Sequence, residues 1–268
     1  MLFEKLRDEG KTITGVARNR RGLSDTGNAT LTECDANDTD RLLDICDGST
    51  VLIHCSRPEI LTSLLTRKPN IDRLIALGST RVYTRFPDDK CARLAAMSHV
   101  IRMGDIPATI LHPTMIYGAP GLNNIERILK IARLSPWIPL PENGKALIQP
   151  VHADDVLTAL LICLNDESTT DKTIVLAGKS PVSYREFIEL CIEIEGTRCR
   201  VISFPYLLLT LLGLLTQIVP RIPAIGLDEL RRLLEDKNFS TTDAEELLGR
   251  APQDLASGLR ATIIEGAS

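Results

Sequence analysis

Along the first half of the chain, the spacing of apolar positions switches repeatedly between the helical and the extended period. Leu2, Phe3 and Leu6 share one face of a helix over residues 1–9 that Gly10 stops. The stretch "KTITGVARN" follows as a short β-branched strand with Gly15 inside it, and a basic cluster of Arg18, Arg20 and Arg21 stands at its end. "NATLTECDANDTDRLLDICDGSTVLIHCS" predicts a strand to Cys34, a polar turn from Asp35, a helix over 41–46 and a strand over 51–55. A helix over 58–66, a strand ending at Gly78, a helix with Asp88 or Asp89 near its cap, and a strand within "PATILHPTMIYGAPG" continue the series. Strands that alternate with helices predict an α/β fold built on a parallel, doubly wound sheet.

The second half has a different texture. "IERILKIARLSPWIPLP" reads as a helix stopped by prolines, while "ALIQPVHADDVLTALLICL" and "KTIVLAGKSPVSYREFIELCIEI" each read as an extended piece followed by a helix. The tail is helical with a break at 238–240. These patterns predict a nucleotide-binding region over 1–118 and a smaller, mostly helical substrate region over 119–268, interlocked with the first.

Composition narrows the function. With 44% hydrophobic residues in 268, the chain can bury a sizeable core. A net charge of -4 excludes nucleic acid as the main partner. The seven cysteines are scattered without a CxxC pair, which predicts reduced thiols in a cytoplasm and no metal site. Acidic residues interrupt the apolar positions of the first turns, unlike a signal peptide. The apolar run 207–219, from Leu207 to Val219, is shorter than the ~20 residues of a membrane span. It reads as a buried or interfacial helix, so there is no transmembrane segment.

In open parallel sheets, ligands bind beyond the carboxyl ends of the strands. That rule selects Arg18, Asp35, Cys55, Ser56, Ser79, Thr80, His112, Pro113 and Thr114. Arg18 suits an adenosine 2′-phosphate, where an acidic residue would instead hold a free ribose hydroxyl. On this residue rests the expectation of NADP, with NAD as the alternative.

The segment "GSTRVY", the isolated Lys90 after it, and "TILHPTMIYG" resemble the extended and atypical branch of the short-chain dehydrogenase/reductase superfamily. Within that branch they are most similar to the NAD(P)-dependent epimerase/dehydratase family, which includes nucleotide-sugar epimerases, dehydratases and reductases. "QPVHADDVLTALL" and the tail from "EDKNFSTTDAEELLG" fit the same pattern, so the resemblance covers essentially the whole chain. It implies a Rossmann-like fold, with Ser79 as the catalytic Ser/Thr and Lys90 as the lysine that also holds the nicotinamide ribose. The family's proton-transferring tyrosine falls on Phe86, which has no hydroxyl. Tyr83 is a substitute by residue type, with packing behind the strand end as its other role.

The resemblance further implies that Asp35 lies beside the adenine and that Pro113, Thr114 and Met115 cover the nicotinamide. Cys55 and Ser56 fall with the cofactor, and Thr80, Tyr83, Asn124, Gln149 and His152 fall with the substrate. Asn123 aligns there too, with turn chemistry as its other reading. His112 stands where the family usually has arginine. The helix over 1–9 matches the family's first helix, and none of the glycines fits the pyrophosphate fingerprint. The expectation is thus of an N-terminally incomplete Rossmann unit whose natural product begins upstream of Met1.

Two functions follow from these residues. One is an oxidoreductase or epimerase acting on a nucleotide-linked sugar or a similar carbonyl/alcohol substrate. The other is a non-catalytic dinucleotide- or partner-binding protein of the same descent, favoured by Phe86 and the missing glycine loop. A third possibility uses residues 207–219 as an interfacial membrane element.

Overall fold

The structure, a computed structural model, describes residues 1–19, 25, 27–119, 121–206, 208 and 231–265. Arg20, Arg21 and, apart from Leu208, the apolar run 207–219 lie outside the described residues. The predicted alternation is present. α1 (Leu2–Asp8) and β1 (Ile13–Ala17) are followed by β2 (Ala29–Glu33), α2 (Thr39–Cys46), β3 (Ser49–His54), α3 (Pro58–Thr66), β4 (Ile71–Leu77), α4 (Asp89–Met103) and β5 (Ala108–Pro113). Then come β6 (Ile116–Tyr117), α5 (Asn123–Leu134), β7 (Trp137–Pro141), β8 (Leu147–Ile148), β9 (Val151–His152) and α6 (Ala153–Asn165). β10 (Thr173–Leu176), β11 (Val182–Ser183), α7 (Tyr184–Glu195), β12 (Arg200–Phe204), α8 (Thr242–Leu248) and α9 (Leu255–Glu265) complete the described elements.

Local chemistry sets the boundaries. Asp38 caps α2 by accepting from Arg41 N at 3.1 Å, and Pro58 occupies the first turn of α3, where its missing N–H costs nothing. Ser183 and Glu186 close a reciprocal capping box on α7, which ends at Gly196 with φ 74°.

A four-stranded sheet runs in the order β10-β5-β4-β3. β3 pairs with β4 and β4 with β5, all parallel. β1 and β2 form a separate parallel pair, Ile13 opposite Ala29 through Ala17 opposite Glu33. The central β4 and β5 are buried along almost their whole length, as expected for strands covered on both faces, whereas β1 alternates between half-buried and exposed.

The chain forms two compact units. The first comprises Met1–Gly78, Ala92–Leu111 and Ala159–Thr173, and the second Ser79–Cys91, His112–Thr158 and Ile174–Ser268. In the first, Leu42, Cys46, Ile60 and Leu64 cluster between α2 and α3. Buried Arg73 crosses to the end of α6, donating to the Cys163 carbonyl at 2.6 Å and to Thr169 Oγ1 at 2.9 Å. In the second, Tyr117, Leu140, Phe187, Cys191 and Leu259 belong to one core.

The helix read in "IERILKIARLSPWIPLP" is α5, which ends at Leu134 just before Pro136. Strand β7, not anticipated from the sequence, follows it and pairs in parallel with β12 from Trp137–Arg200 to Pro141–Phe204. Its prolines are tolerated because, among the described residues, the pair is a two-stranded ribbon whose outer edges have no further strand.

Candidate functional site

In the first unit, the candidates stand just past strand ends. Arg18 follows β1 and is exposed; the β1–β2 register sets it opposite Cys34, next to Asp35. Asp35 Oδ1 accepts from Asn37 N at 3.0 Å and from Asn37 Nδ2 at 2.9 Å, a turn closed by its own side chain. Asn37 Oδ1 in turn accepts from Arg57 Nη2 at 2.8 Å, tying the turn after β2 to the loop after β3. Exposed Cys55 and Ser56 lie in that loop. It is also braced by buried His54, whose Nε2 donates to the Arg57 carbonyl at 3.1 Å. Burial pushes the His54 pKa down, which keeps the ring neutral.

In the second unit, Ser79 is extended and caps the short turn Thr80–Tyr83, its Oγ accepting from Arg81 N at 3.2 Å. Its backbone N–H donates to Nδ1 of buried His112 at 3.1 Å, so a neutral His112 carries its proton on Nε2. Thr80 Oγ1 donates to the Pro113 carbonyl at 3.3 Å. The Tyr83 ring meets His112 edge-on at 5.6 Å and lies 6.2 Å from Phe239. Thr114 donates to the carbonyl of Gln149, and Met115 is half-buried behind it. Gln149, fully buried, spends its amide on backbone: Nε2 donates to the Gly178 carbonyl at 2.7 Å and Oε1 accepts from Phe239 N at 2.8 Å.

Ser79, Thr80 and Tyr83 are thus gathered around His112 and Pro113, and Phe239 connects them to Gln149. The other candidates make different contacts. Lys90 is exposed in the first turn of α4, and Phe86 precedes that helix with 44% of its surface exposed. His152 is buried edge-on against Tyr117 at 5.0 Å, with Nδ1 accepting from Asp154 N. Asn124 Nδ2 donates to the Ile116 carbonyl at 3.4 Å.

Charged groups invisible to the sequence patterns fix this segment. Glu235, buried, accepts from Thr84 Oγ1 at 2.6 Å and Arg85 N at 2.5 Å. Asp88 pairs with Arg81 and, at 3.0 Å, with Arg232, and it also accepts from Cys91 N at 2.9 Å. The hydrogen bond from Arg81 is the largest influence holding its carboxyl down to about 2. Lys237 is pushed down to about 8 by burial, and its Nζ donates to the Arg232 carbonyl at 2.6 Å. None of these carries a motif: the partners are far apart in sequence and only the fold joins them.

A dinucleotide finds a partial match among these residues. Within the first unit, exposed Arg18 and Asp35 follow the ends of neighbouring strands and are of residue types that suit an adenosine. The pyrophosphate is a different matter. Among the described residues no glycine-rich turn joins a strand to a helix as an amide cradle for that group. Among the described residues there is also no cluster of three or more His, Cys, Asp or Glu able to hold a metal ion. All seven cysteines are unpaired, and burial pushes the Cys191 thiol up to about 12.

No model of a protein family matches the chain. A curated relative, the mitochondrial NADH dehydrogenase [ubiquinone] 1 alpha subcomplex subunit 9 of Dictyostelium discoideum, is 26% identical over 125 residues. The match takes in 46% of this chain and 34% of that protein, about a third of its length. Among solved structures, a nucleoside-diphosphate-sugar epimerase from Staphylococcus aureus aligns with a TM-score of 0.75 at 14% identity, over 97% of this chain and 94% of the other. The UDP-glucuronic acid 4-epimerase of Bacillus cereus, solved with UDP-glucuronic acid and NAD, aligns with 0.72 at 15% identity over 100% and 95%. The UDP-glucose 4-epimerase of Thermotoga maritima, solved with UDP-glucose, gives 0.71 at 15% over 99% and 94%. The chain therefore has the Rossmann-type α/β fold of these nucleotide-sugar epimerases.

Proposed function

We propose that the chain is a nicotinamide-dinucleotide-binding protein of the epimerase/dehydratase kind. Its substrate is a nucleotide-linked sugar or a similar carbonyl/alcohol compound. The observation that carries the reading is the fold match along nearly the full chain to a UDP-glucuronic acid 4-epimerase solved with UDP-glucuronic acid and NAD. Two features of this chain support it: the strand-end set Arg18, Asp35, Cys55 and Ser56, and the buried bracing of Ser79 by His112.

In this reading Arg18 holds a 2′-phosphate, which makes NADP the preferred cofactor over NAD. Asp35 lies beside the adenine, and Lys90 holds the nicotinamide ribose. Pro113, Thr114 and Met115 cover the nicotinamide. Ser79 donates its hydroxyl to the substrate oxygen, and its position is set by the Nδ1 acceptor of His112. Thr80, Tyr83, Asn124, Gln149 and His152 complete the substrate side. Phe86 has no proton to give, so any proton transfer falls to the hydroxyl of Ser79 or Tyr83, or to water. The cofactor, when bound, would supply hydride chemistry, and the protein's part is to hold and orient the reacting oxygen. The scattered, unpaired cysteines support a reducing compartment, the cytoplasm.

Titration with NADPH and NADH, followed by nucleotide fluorescence, tests the reading. Binding with NADPH preferred, and a loss of that preference in Arg18→Ala, is the expected result. A chain that is folded by circular dichroism and binds neither nucleotide overturns it.

A further inference from the structure

One face of the β7–β12 ribbon in the second unit is left outside the site. In the parallel register, Trp137 stands opposite Arg200 and Pro139 opposite Ile202. Residues paired across a ladder project to the same side, and alternate residues project to the other. Ile138, Leu140 and Val201 are buried, so Trp137, Pro139, Arg200 and Ile202 form the outward face. Trp137 is 57% exposed and Leu134, the last residue of α5, 78%. Between the end of α5 and the turn before β12 lies an open basin of about 480 Å³, lined among others by Arg133, Leu134, Pro136 and Arg198.

The charge of this surface opposes that of the whole chain. Residues 130–141 and 197–204 contain Lys130, Arg133, Arg198 and Arg200 and no carboxylate, in a chain of net charge -4. Glu195 from α7 pairs with Arg133 at 2.5 Å, which leaves the cations in excess. An exposed tryptophan and leucine set among cations match a surface that is anionic outside and apolar beneath. Tryptophan rings settle at the headgroup level, and basic residues are drawn to anionic leaflets. A second copy meeting the same patch about a two-fold axis would set these cations against one another.

We propose that this face seats on an anionic phospholipid bilayer, with Trp137 and Leu134 entering the headgroup region and Arg198 and Arg200 paired with lipid phosphates. The protein stays peripheral: among the described residues no helix is long and apolar enough to cross a membrane.

Trp137 is the only tryptophan of the chain, so its emission reports its own surroundings. The full chain is mixed with phosphatidylcholine vesicles with and without phosphatidylserine. Co-flotation and a blue shift of Trp137 emission with the anionic vesicles alone are expected, reversed by salt. Arg198→Glu removes a cation and adds an anion, and should lower partitioning about 30-fold. Leu134→Ser should lower it about tenfold. Both sites are exposed, and an unchanged circular dichroism spectrum confirms folded variants. Absence of flotation overturns the proposal. So does flotation without a change in Trp137 emission, which places the contact elsewhere, or an emission shift that follows protein concentration without vesicles, which marks self-association.

Discussion

The segment from Ser79 to Lys90 has two halves held by different chemistry. From Ser79 to Tyr83 the anchors other than that of Arg81 are neutral: a backbone N–H on buried His112, a hydroxyl on the Pro113 carbonyl, and a half-exposed aromatic ring edge-on to His112. From Thr84 to Asp88 they are ionic: Glu235 gathers Thr84 and Arg85, and Asp88 sits between Arg81 and Arg232. The neutral half positions the hydroxyl assigned to a substrate oxygen, and its contacts to His112 and Pro113 need no ionised carboxylate, although Arg81 within it is paired with Asp88. The ionic half carries Phe86 and Lys90 at the surface and depends on charges that acid can remove.

The sharpest way to break this comparison is to remove the buried acceptor. Glu235→Ala removes a buried carboxylate and leaves Arg85 N and the Thr84 hydroxyl without their partner at a part-buried site. The expected cost is about 2–4 kcal/mol of unfolding free energy, read from urea denaturation. A change under about 0.5 kcal/mol, the size of an ordinary surface substitution, would show that Glu235 does not brace the segment.

Asp88 should matter less, and in a way that depends on pH. Its carboxyl is held at about 2 against an ordinary 3.8, so its contribution is fully present above about pH 4 and is lost as pH falls through 2. Asp88→Asn is expected to cost about 1–2 kcal/mol at neutral pH. The gap between variant and parent should close from pH 4 to pH 2 in denaturation midpoints. A gap that persists at pH 2 would mean that shape, rather than charge, holds this half.

How far these two halves could be read in the sequence differs for a physical reason. Ser79 is legible because a strand of continuous apolar residues, Ile71–Leu77, ends just before it, and the carboxyl ends of parallel strands are where ligands sit. The alternation of elements is legible likewise, because helical and extended periods differ along the chain itself. The bracing by Glu235 and Arg232 is not, since their partners lie 151 and 144 residues away and no local pattern records such a pairing. β7 was hidden for another reason. Pro136 marks the end of α5 by local rules, and only the pairing with β12 makes the segment with Pro139 and Pro141 a strand.

The smallest expected effect lies at Phe86, and it tests the comparison from its exposed side. The ring is 44% exposed, it precedes α4, and its backbone N–H is spent on Thr84 Oγ1 at 3.2 Å. A hydroxyl added by Phe86→Tyr therefore enters water and meets no buried group. Stability should change by less than about 0.5 kcal/mol, as for a surface substitution away from caps and ion pairs. Denaturation of the variant beside the parent measures it. A loss above about 1 kcal/mol, the range of overpacking in a filled site, would mean that Phe86 is packed inside the protein in solution. The two halves of the segment would then share one kind of anchoring, and acid should loosen the Thr84–Asp88 half less than its ion pairs suggest.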